Sequence, residues 1–398
     1  MTTTVPVDDR IERIVVITVD CLRWEYHEPY RDLYPNGVWY RGTTQATYTP
    51  TAHASLFTGL NPPRHGVYAF GDEYQGEETL LSATESASAS AITDDGAGLV
   101  NGLEPGENVE FDFSRWFPAR LDDSDGDSTA VPGPEEYREN VRQFGDYDLV
   151  FLHDWLLHKT EASDSSDWSF TADQSGDPEF NHRQYRRQLA LSGAAHEQLL
   201  ATIQEMGLYE NTLFVLWGDH GQALTSDPFG ELAHSHFPEE CVARVPIAFC
   251  SPLFENDSVD VSTNARAIDV LPTIETIASG ADVPMDQIPH EYEGVDLTEF
   301  EGELAGYTMG GRTAGSGFGD GVRTSEQAYL SLDTDETLLL ETRTSPDPED
   351  GYRLQRRIDN PVQKAKLAKL YEEVRREESE LVHRREPDTE WLEAMGYL

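Results

Sequence analysis

Cysteine and lysine are scarce in this sequence. Its 398 residues contain three cysteines, Cys21, Cys241 and Cys250. Lysine occurs only at positions 159, 364, 366 and 369. Cysteines so few and so scattered exclude a disulfide framework. Cys21 follows an apolar run, where a small buried side chain is the favoured interpretation and a metal-binding thiol is the alternative.

Basic residues are few overall, since 29 lysines and arginines stand against 74 aspartates and glutamates, for a net charge of −45. No basic patch is present to release counterions from nucleic acid, so duplex partners are excluded. This surplus of acidic residues is typical of halophilic proteins. Disorder is the rival interpretation, but a hydrophobic content of 38% in strand-like and helix-like blocks argues against it.

Long apolar runs are also missing. No segment approaches the roughly 18 apolar residues that span a bilayer, so no membrane span is predicted. The first residues lack a basic stretch followed by a cleavable apolar one, and a cytoplasmic protein is expected. The sequence leaves the oligomeric state open.

What the sequence does contain is an alternation of short apolar runs with amphipathic helices. This alternation predicts an α/β fold over residues 1–300, a layered α/β/α sandwich around a mostly parallel sheet. Later apolar runs predict a small antiparallel β-rich subdomain over residues 301–350. Residues 351–398 are expected to form a C-terminal helix and a tail packed on the core. His196 falls on the apolar stripe of a predicted helix and is interpreted as a packing residue.

Three of the apolar runs, at residues 14–19, 149–152 and 212–217, precede residues of metal-binding types. Asp20 follows the first run, Asp154 and His158 follow the second, and Asp219 and His220 follow the third. In an open α/β sheet, ligands bind beyond the carboxyl ends of the strands, so these side chains are expected to meet. A hydrolytic metal site is predicted from seven residues in all: Asp20, Thr49, Asp154, His158, Asp219, His220 and His234.

The segment after Thr49 matches the surroundings of a nucleophile. Pro50 and Thr51 are favoured in a first helical turn and Gly59 is a good terminator, which predicts a two-turn helix. The Thr49 hydroxyl would lie at the positive end of that helix, where an anionic ester is attracted. Metal coordination is one of the few ways to make a threonine hydroxyl an alkoxide. Helix capping by the Thr49 side chain is the structural alternative.

These residues resemble the alkaline phosphatase superfamily, specifically its sulfatase-like and nucleotide pyrophosphatase/phosphodiesterase branches. The resemblance covers nearly the full length of the chain. It rests on the order of several short segments: Ala54–Gly59, Pro63–Gly66, Gly218–Gly221, His234 ahead of Arg244–Pro246, Asp269–Thr273 and Trp391–Leu398. Each segment is weak alone, and in this order they are specific.

The resemblance implies two divalent metal ions. It places one on Asp20, Asp219, His220 and the Thr49 oxygen, and the other on Asp154, His158 and His234. Carboxylate and imidazole ligands suit Zn²⁺, with Mn²⁺ as the alternative. Two ions about 4 Å apart could hold the attacking and leaving oxygens of an in-line displacement.

Three further histidines, His53, His153 and His236, are candidate substrate-binding residues. His236 is also a rival of His234 as a metal ligand, and His234 is preferred for its spacing within the resemblance. A histidine next to a ligand more often packs or orients its neighbour, and this alternative applies to His53 and His153.

The chain departs from true sulfatases at several positions. Those enzymes have, where Thr49 stands, a cysteine or serine that is oxidised to formylglycine, and threonine cannot yield this aldehyde. They also have an arginine in place of His53 and a second aspartate in place of Cys21. The sequence therefore predicts a hydrolase of small anionic phosphate esters, monoesters or diesters, with Thr49 as nucleophile.

Three alternatives stay open. One is a sulfatase-like hydrolase of sulfuric esters. Another is a transferase, in which the same covalent intermediate passes its phospho-group to an alcohol. The non-enzymatic alternative is a binding protein that keeps the scaffold without turnover, although all seven proposed site residues are chemically competent.

Overall fold

A computed structural model gives the fold. It describes residues 3–68, 72–74, 76, 79–80, 87–90, 109–111, 143–154, 156–158, 177–225, 232–234, 237–281, 283, 291–310, 319–332, 336–342, 355–376 and 382–384.

The strands of the described residues are β1 (Arg13–Val19), β2 (Gly37–Thr43), β3 (Asp72–Tyr74), β4 (Ala87–Ser90), β5 (Val109–Phe111), β6 (Leu149–Asp154), β7 (Thr212–Gly218), β8 (Arg244–Cys250), β9 (Ser258–Asp260), β10 (Gly306–Met309), β11 (Gly319–Arg323), β12 (Gln327–Leu332), β13 (Thr337–Thr342), β14 (Gln355–Arg357) and β15 (Val382–Arg384). Their α-helices are α1 (Glu28–Arg31), α2 (Thr49–Thr58), α3 (Pro62–His65), α4 (Pro178–Glu205), α5 (Glu240–Ala243), α6 (Val270–Gly280) and α7 (Pro361–Arg375).

The main sheet has eight strands in the order β5-β4-β6-β1-β7-β8-β2-β9. Strand β1 pairs in parallel with β6 on one side and with β7 on the other. Only β8 runs against the other strands of this sheet, because it is antiparallel to both β7 and β2. The sheet is therefore mostly parallel, as the sequence predicts.

Alternating side chains of β1 enter two separate cores. Ile14 and Val16 belong to a core that also contains Phe57 of α2 and Leu271 of α6. Val15, Ile17 and Val19 belong to a second core, with Tyr185, Leu189, Leu199 and Ile203 of α4. Since the side chains of a strand point to opposite faces in turn, the central strands need apolar residues at every position. The result is a three-layered α/β/α arrangement.

A separate antiparallel sheet follows in the order β10-β11-β12-β13-β14. Its last strand, Gln355–Arg357, lies beyond the boundary at residue 350 that the sequence suggested. Helix α7 packs on this sheet, with Leu367 and Tyr371 buried against Tyr307 and Tyr329. The buried face of this C-terminal helix therefore contacts the smaller sheet.

The predicted fold class is confirmed: a mixed α/β protein with a central, mostly parallel sheet and a small antiparallel one. The predicted helix after Thr49 is also present, and Gly59 ends it in the left-handed conformation with φ of 69°. Among the helices that the structure describes, none is both long and apolar enough to cross a bilayer.

Candidate metal centre

The centre lies where three adjacent parallel strands end. Strands β6, β1 and β7 are neighbours, and their final residues Asp154, Val19 and Gly218 are in register. The chain that leaves β1 carries Asp20, and the chain that leaves β7 carries Asp219 and His220. The backbone N–H of Asp20 donates to the carbonyl of Asp154 over 2.7 Å, which fixes one strand end against the next.

Three of the predicted ligands converge. Oxygens of Asp20 and Asp219 and a ring nitrogen of His220 lie within 4.8 Å of one another, and all three residues are buried. Nε2 of His220 is 3.6 Å from Oδ1 of Asp20 and 3.4 Å from Oδ2 of Asp219. Two carboxylates and an imidazole thus meet at one buried point.

The protonation of His220 follows from its other nitrogen. Nδ1 lies 2.9 Å from the carbonyl oxygen of Gly221, which can only accept, so Nδ1 carries the hydrogen. In the neutral ring Nε2 then holds a lone pair, and this pair points at the two carboxylates. Metal-binding histidines are usually held in this way, by a carbonyl that fixes the opposite nitrogen.

The electrostatics of the cluster fit a divalent cation. Burial, followed by the charge of Asp20, raises the pKa of Asp219 from 3.8 to about 6. Burial disfavours the charged form of this carboxyl, and the neighbouring charge of Asp20 adds to that effect. A cation bound between Asp20, Asp219 and His220 would offset that repulsion, and carboxylate with imidazole is a donor set suited to Zn²⁺ or Mn²⁺.

Thr49 is the first residue of α2 and lies beside this cluster. Its Oγ1 is 3.2 Å from Nε2 of His220. Tyr48, not Thr49, is the residue that caps the helix, and it makes no side-chain capping bond. The Thr49 hydroxyl is thus directed at the cluster, and the capping alternative does not describe it.

His53 and His153 lie on the same side of the sheet, with ring centroids 5.1 Å apart. Nε2 of His153 is 3.3 Å from Oδ2 of Asp20, and Nε2 of His53 is 3.1 Å from the hydroxyl of Thr18. Both rings are fully buried. Together with Asp219 they form a second group with metal-binding spacing, which the sequence did not single out as ligands.

His234 reaches the centre from the loop after β7. Its ring stacks on that of His220, with centroids 4.3 Å apart, and its Nδ1 is 2.8 Å from Oε1 of Gln222. A third group with metal-binding spacing consists of Cys21, His220 and His234. His220 is common to this group and to the group with Asp20 and Asp219.

Asp154 is not brought to the cluster. Its Oδ2 accepts from the hydroxyl of Ser192 and lies 3.1 Å from Nε2 of His196, both on α4, and its Oδ1 accepts from the N–H of Leu156 over 2.9 Å. The predicted role of Asp154 as a ligand does not fit this geometry.

The physical reason for the placement of Asp154 is the alternation of side chains along β6. His153 pairs with Thr18 and points to the α2 side, so the next residue, which pairs with Val19, points to the α4 side. The other residues of β6 alternate in the same way. Val150 and Leu152 enter the core on the α4 side, while Leu149 and Phe151 enter the core on the α2 side.

Two predicted residues cannot be placed in this way. His158 ends a 3₁₀ turn over Leu156–His158, but its side chain lies outside the described structure. His236 lies outside the described residues altogether. The role of His158 as a ligand beside His234, and the role of His236 in substrate binding or as the rival ligand of His234, stay predictions.

Comparison with known proteins gives one family match over part of the chain and one shared fold. Residues 14–105 match the family model described as Type I phosphodiesterase / nucleotide pyrophosphatase. No curated protein sequence matches the chain.

Several solved structures share the fold. The phosphonate monoester hydrolase of Agrobacterium radiobacter has a TM-score of 0.64 at 13% identity, over 94% of this chain and 100% of that chain. The phosphonate monoester hydrolase of Silicibacter pomeroyi has a TM-score of 0.61 at 14% identity, over 94% and 99%. A 2-O GAG sulfatase has a TM-score of 0.63 at 14% identity, over 94% and 95%. The family match and the shared fold confirm that this chain resembles the alkaline phosphatase superfamily.

Proposed function

We propose that this protein hydrolyses small anionic phosphate esters with the help of a divalent cation and with Thr49 as nucleophile. The observation that carries the proposal is the position of the Thr49 hydroxyl, 3.2 Å from Nε2 of His220, where Asp20 and Asp219 converge. The fold is shared with proteins named as phosphonate monoester hydrolases and sulfatases, which supports an ester of phosphorus or sulfur as the substrate class.

Asp20, Asp219 and His220 would hold the cation. Zn²⁺ suits this mixture of carboxylate and imidazole, with Mn²⁺ as the alternative. When bound, the ion would act as a Lewis acid that lowers the pKa of the Thr49 hydroxyl and offsets the negative charge of the ester.

The protein residues supply position and charge. His220 orients the Thr49 hydroxyl, which can donate to Nε2 over 3.2 Å. The start of the ten-residue helix α2 lies beside it and favours an anionic group, because the helix dipole is positive there. His153 adds a second imidazole beside Asp20, since its Nε2 is 3.3 Å from Oδ2 while Nε2 of His220 is 3.6 Å from Oδ1.

The reaction proceeds by two displacements at phosphorus. Oγ1 of Thr49 forms a bond to phosphorus while the bond to the leaving oxygen breaks; the hydroxyl proton passes to solvent, and the leaving oxygen takes a proton from solvent to become the alcohol. Water then attacks the phosphothreonine, the bond from phosphorus to Oγ1 breaks, and Thr49 recovers a proton. The net change is hydrolysis of one ester bond.

The experiment is a comparison of three variants on nitrophenyl phosphate, a phosphodiester, a phosphonate ester and a sulfate ester, in molar salt with Zn²⁺. Thr49→Ala should lower turnover by roughly a thousandfold or more, because loss of a nucleophile removes the covalent route. Thr49→Ser should keep part of the activity. Thr58→Ala, at the other end of α2, is the matched control and should behave like the wild type. Full turnover by Thr49→Ala would show that the mechanism is wrong.

Hydrolysis of sulfuric esters is the second candidate, because a sulfatase shares the fold. The same panel decides between them, since turnover of the sulfate ester above every phosphorus ester would favour this candidate. Transfer to an alcohol is decided by the products: a labelled donor that yields a labelled alcohol ester in place of phosphate would make the protein a transferase.

A further inference from the structure

The sulfur of Cys21 lies among polar atoms of the candidate centre. Sγ is 3.1 Å from Oδ1 of Asp20, 3.3 Å from Oε1 of Gln222 and 3.8 Å from Nδ1 of His234. Both oxygens are acceptors, and a thiol has one hydrogen, so it can serve only one of them at a time. This surrounding differs from that expected of a cysteine that only fills space in an apolar core.

Cys21 forms a group of metal-binding dimensions with two histidines. Its Sγ and ring nitrogens of His220 and His234 lie within 4.8 Å of one another, and all three residues are buried. Zinc binds sulfur at about 2.3 Å and nitrogen at about 2.0 to 2.1 Å, which places one sulfur and two nitrogen ligands of a tetrahedral ion about 3.3 to 3.6 Å apart.

The hydrogen bonds of the two histidines leave one nitrogen of each suited to a metal. Nδ1 of His220 donates to the carbonyl of Gly221 over 2.9 Å, and Nδ1 of His234 donates to the amide oxygen of Gln222 over 2.8 Å. Each neutral ring then has its lone pair on Nε2. A fixed opposite nitrogen is the usual arrangement of metal-binding imidazoles.

The backbone at two of these positions is strained. Among the described residues other than glycine, positive φ occurs at Cys21 (62°), Ala233 (69°) and Asn264 (59°). One of these three residues is Cys21 itself, and another, Ala233, directly precedes His234. A non-glycine residue in this conformation costs about 1 kcal/mol or more, and such strain is concentrated at functional sites. The N–H of Cys21 donates to Asp219 over 3.2 Å, which helps to hold the turn.

We propose that Cys21 is a ligand of the same cation that Asp20, Asp219 and His220 hold, with its thiolate and His234 completing the coordination of a borderline-soft divalent ion such as Zn²⁺. On binding, the S–H bond breaks, the sulfur–metal bond forms and the proton passes to solvent. A thiolate ligand favours zinc-like ions and disfavours Mg²⁺ and Ca²⁺. This inference rests on the proposed cation at the centre but not on the proposed ester hydrolysis.

The test is a titration of the metal-free protein with Co²⁺, which occupies zinc sites and gives a near-ultraviolet charge-transfer band when a thiolate binds it. The wild type should show this band, rising to a stoichiometric end point. Cys21→Ser should lose the band. Its affinity for Co²⁺, measured by equilibrium dialysis, should fall at least about 10- to 100-fold. Substitution of a residue that only supports a metal ligand already lowers metal affinity by this factor.

Two further variants control the result. Cys250→Ser leaves the same number of thiols as Cys21→Ser and should keep the band, since Cys250 lies outside every group with metal-binding spacing among the described residues. Cys21→Asp keeps a ligand atom at the position, so it should bind Co²⁺ without the band even if the serine variant folds poorly.

The inference is overturned if the wild type binds Co²⁺ without the band, if it binds no Co²⁺, or if the band survives in Cys21→Ser or Cys21→Asp. An intact band in a protein that turns over no ester would contradict the proposed hydrolysis alone. Ester turnover in a protein without the band would contradict the thiolate ligand alone.

Discussion

At the scale of single residues, the centre is defined by where lone pairs point. The Gly221 carbonyl fixes the hydrogen of His220 on Nδ1, and Nε2 then faces the carboxylates of Asp20 and Asp219 with no hydrogen of its own. The Thr49 hydroxyl lies beside them and can donate to Nε2. Two buried carboxylates this close together are more stable with a bound cation than without one.

Asp219 should make the metal-free protein less stable as the pH rises. Burial and Asp20 raise its pKa from 3.8 to about 6, so between these values the folded protein binds the proton more tightly than the unfolded chain. The free energy of unfolding should therefore fall across that interval, by up to about 1.4 kcal/mol for each pH unit. Denaturant unfolding at a series of pH values, with metal removed, measures this slope.

Asp219→Asn is the matched variant for that slope. It cannot ionise, so its stability should change less between pH 4 and 6 than that of the wild type, an interval set by the two pKa values of Asp219. Addition of Zn²⁺ to the wild type should reverse the trend, because the ligands bind metal in their deprotonated forms. Equal slopes in the two metal-free proteins would show that Asp219 is not under this repulsion.

At the scale of elements, the contact between β6 and α4 explains why Asp154 lies away from the cluster that the sequence predicts for it. Periodicity predicted β1, β6 and β7 and their shared edge, because apolar runs and their ends are local features. The face to which a strand end points depends on one residue of register, and a shift of one reverses it. His153 therefore faces Asp20 while Asp154 faces α4.

The sequence also could not supply the distances between elements. Two features depend on contacts between segments far apart in the chain: the stacking of His234 on His220, and the contact of His196 with Asp154, which goes beyond packing. Strand ends and a helix start are local signals, and they were sufficient to single out Asp20, Thr49, Asp219 and His220 as candidates.

Asp154→Asn should separate an anchor from a metal ligand. The carboxylate accepts from Ser192, His196 and Leu156, so the amide should destabilise the fold by about 2 kcal/mol through weaker charged hydrogen bonds. Metal content should stay at the wild-type level. Denaturant unfolding and elemental analysis measure the two effects. Loss of bound metal without loss of stability would restore the ligand role of Asp154.

At the scale of the whole molecule, the net charge of −45 dominates. Mutual repulsion of like charges disfavours a compact fold, and salt reduces it over distances beyond the Debye length. We propose on this ground that the protein is adapted to high salt. The same charge would repel an anionic ester at low salt, so activity and stability should depend on salt together.

The unfolding temperature should rise as KCl increases from about 0.1 M to about 1 M, where the Debye length falls from about 10 Å to about 3 Å. Sucrose at matched osmolality is the control for solvent exclusion and should raise it less. Scanning fluorimetry or circular dichroism gives the measurement. An unfolding temperature that is equal at the two salt concentrations would show that charge repulsion does not limit the fold.

The most direct measurement is anomalous X-ray scattering from crystals of the zinc-loaded protein, because it locates the ion without reference to turnover. We predict a zinc peak within about 2.0 to 2.2 Å of carboxylate oxygens of Asp20 and Asp219 and of Nε2 of His220. A protein saturated with zinc that shows no peak there, or one bound only through Asp154, would contradict the proposed centre.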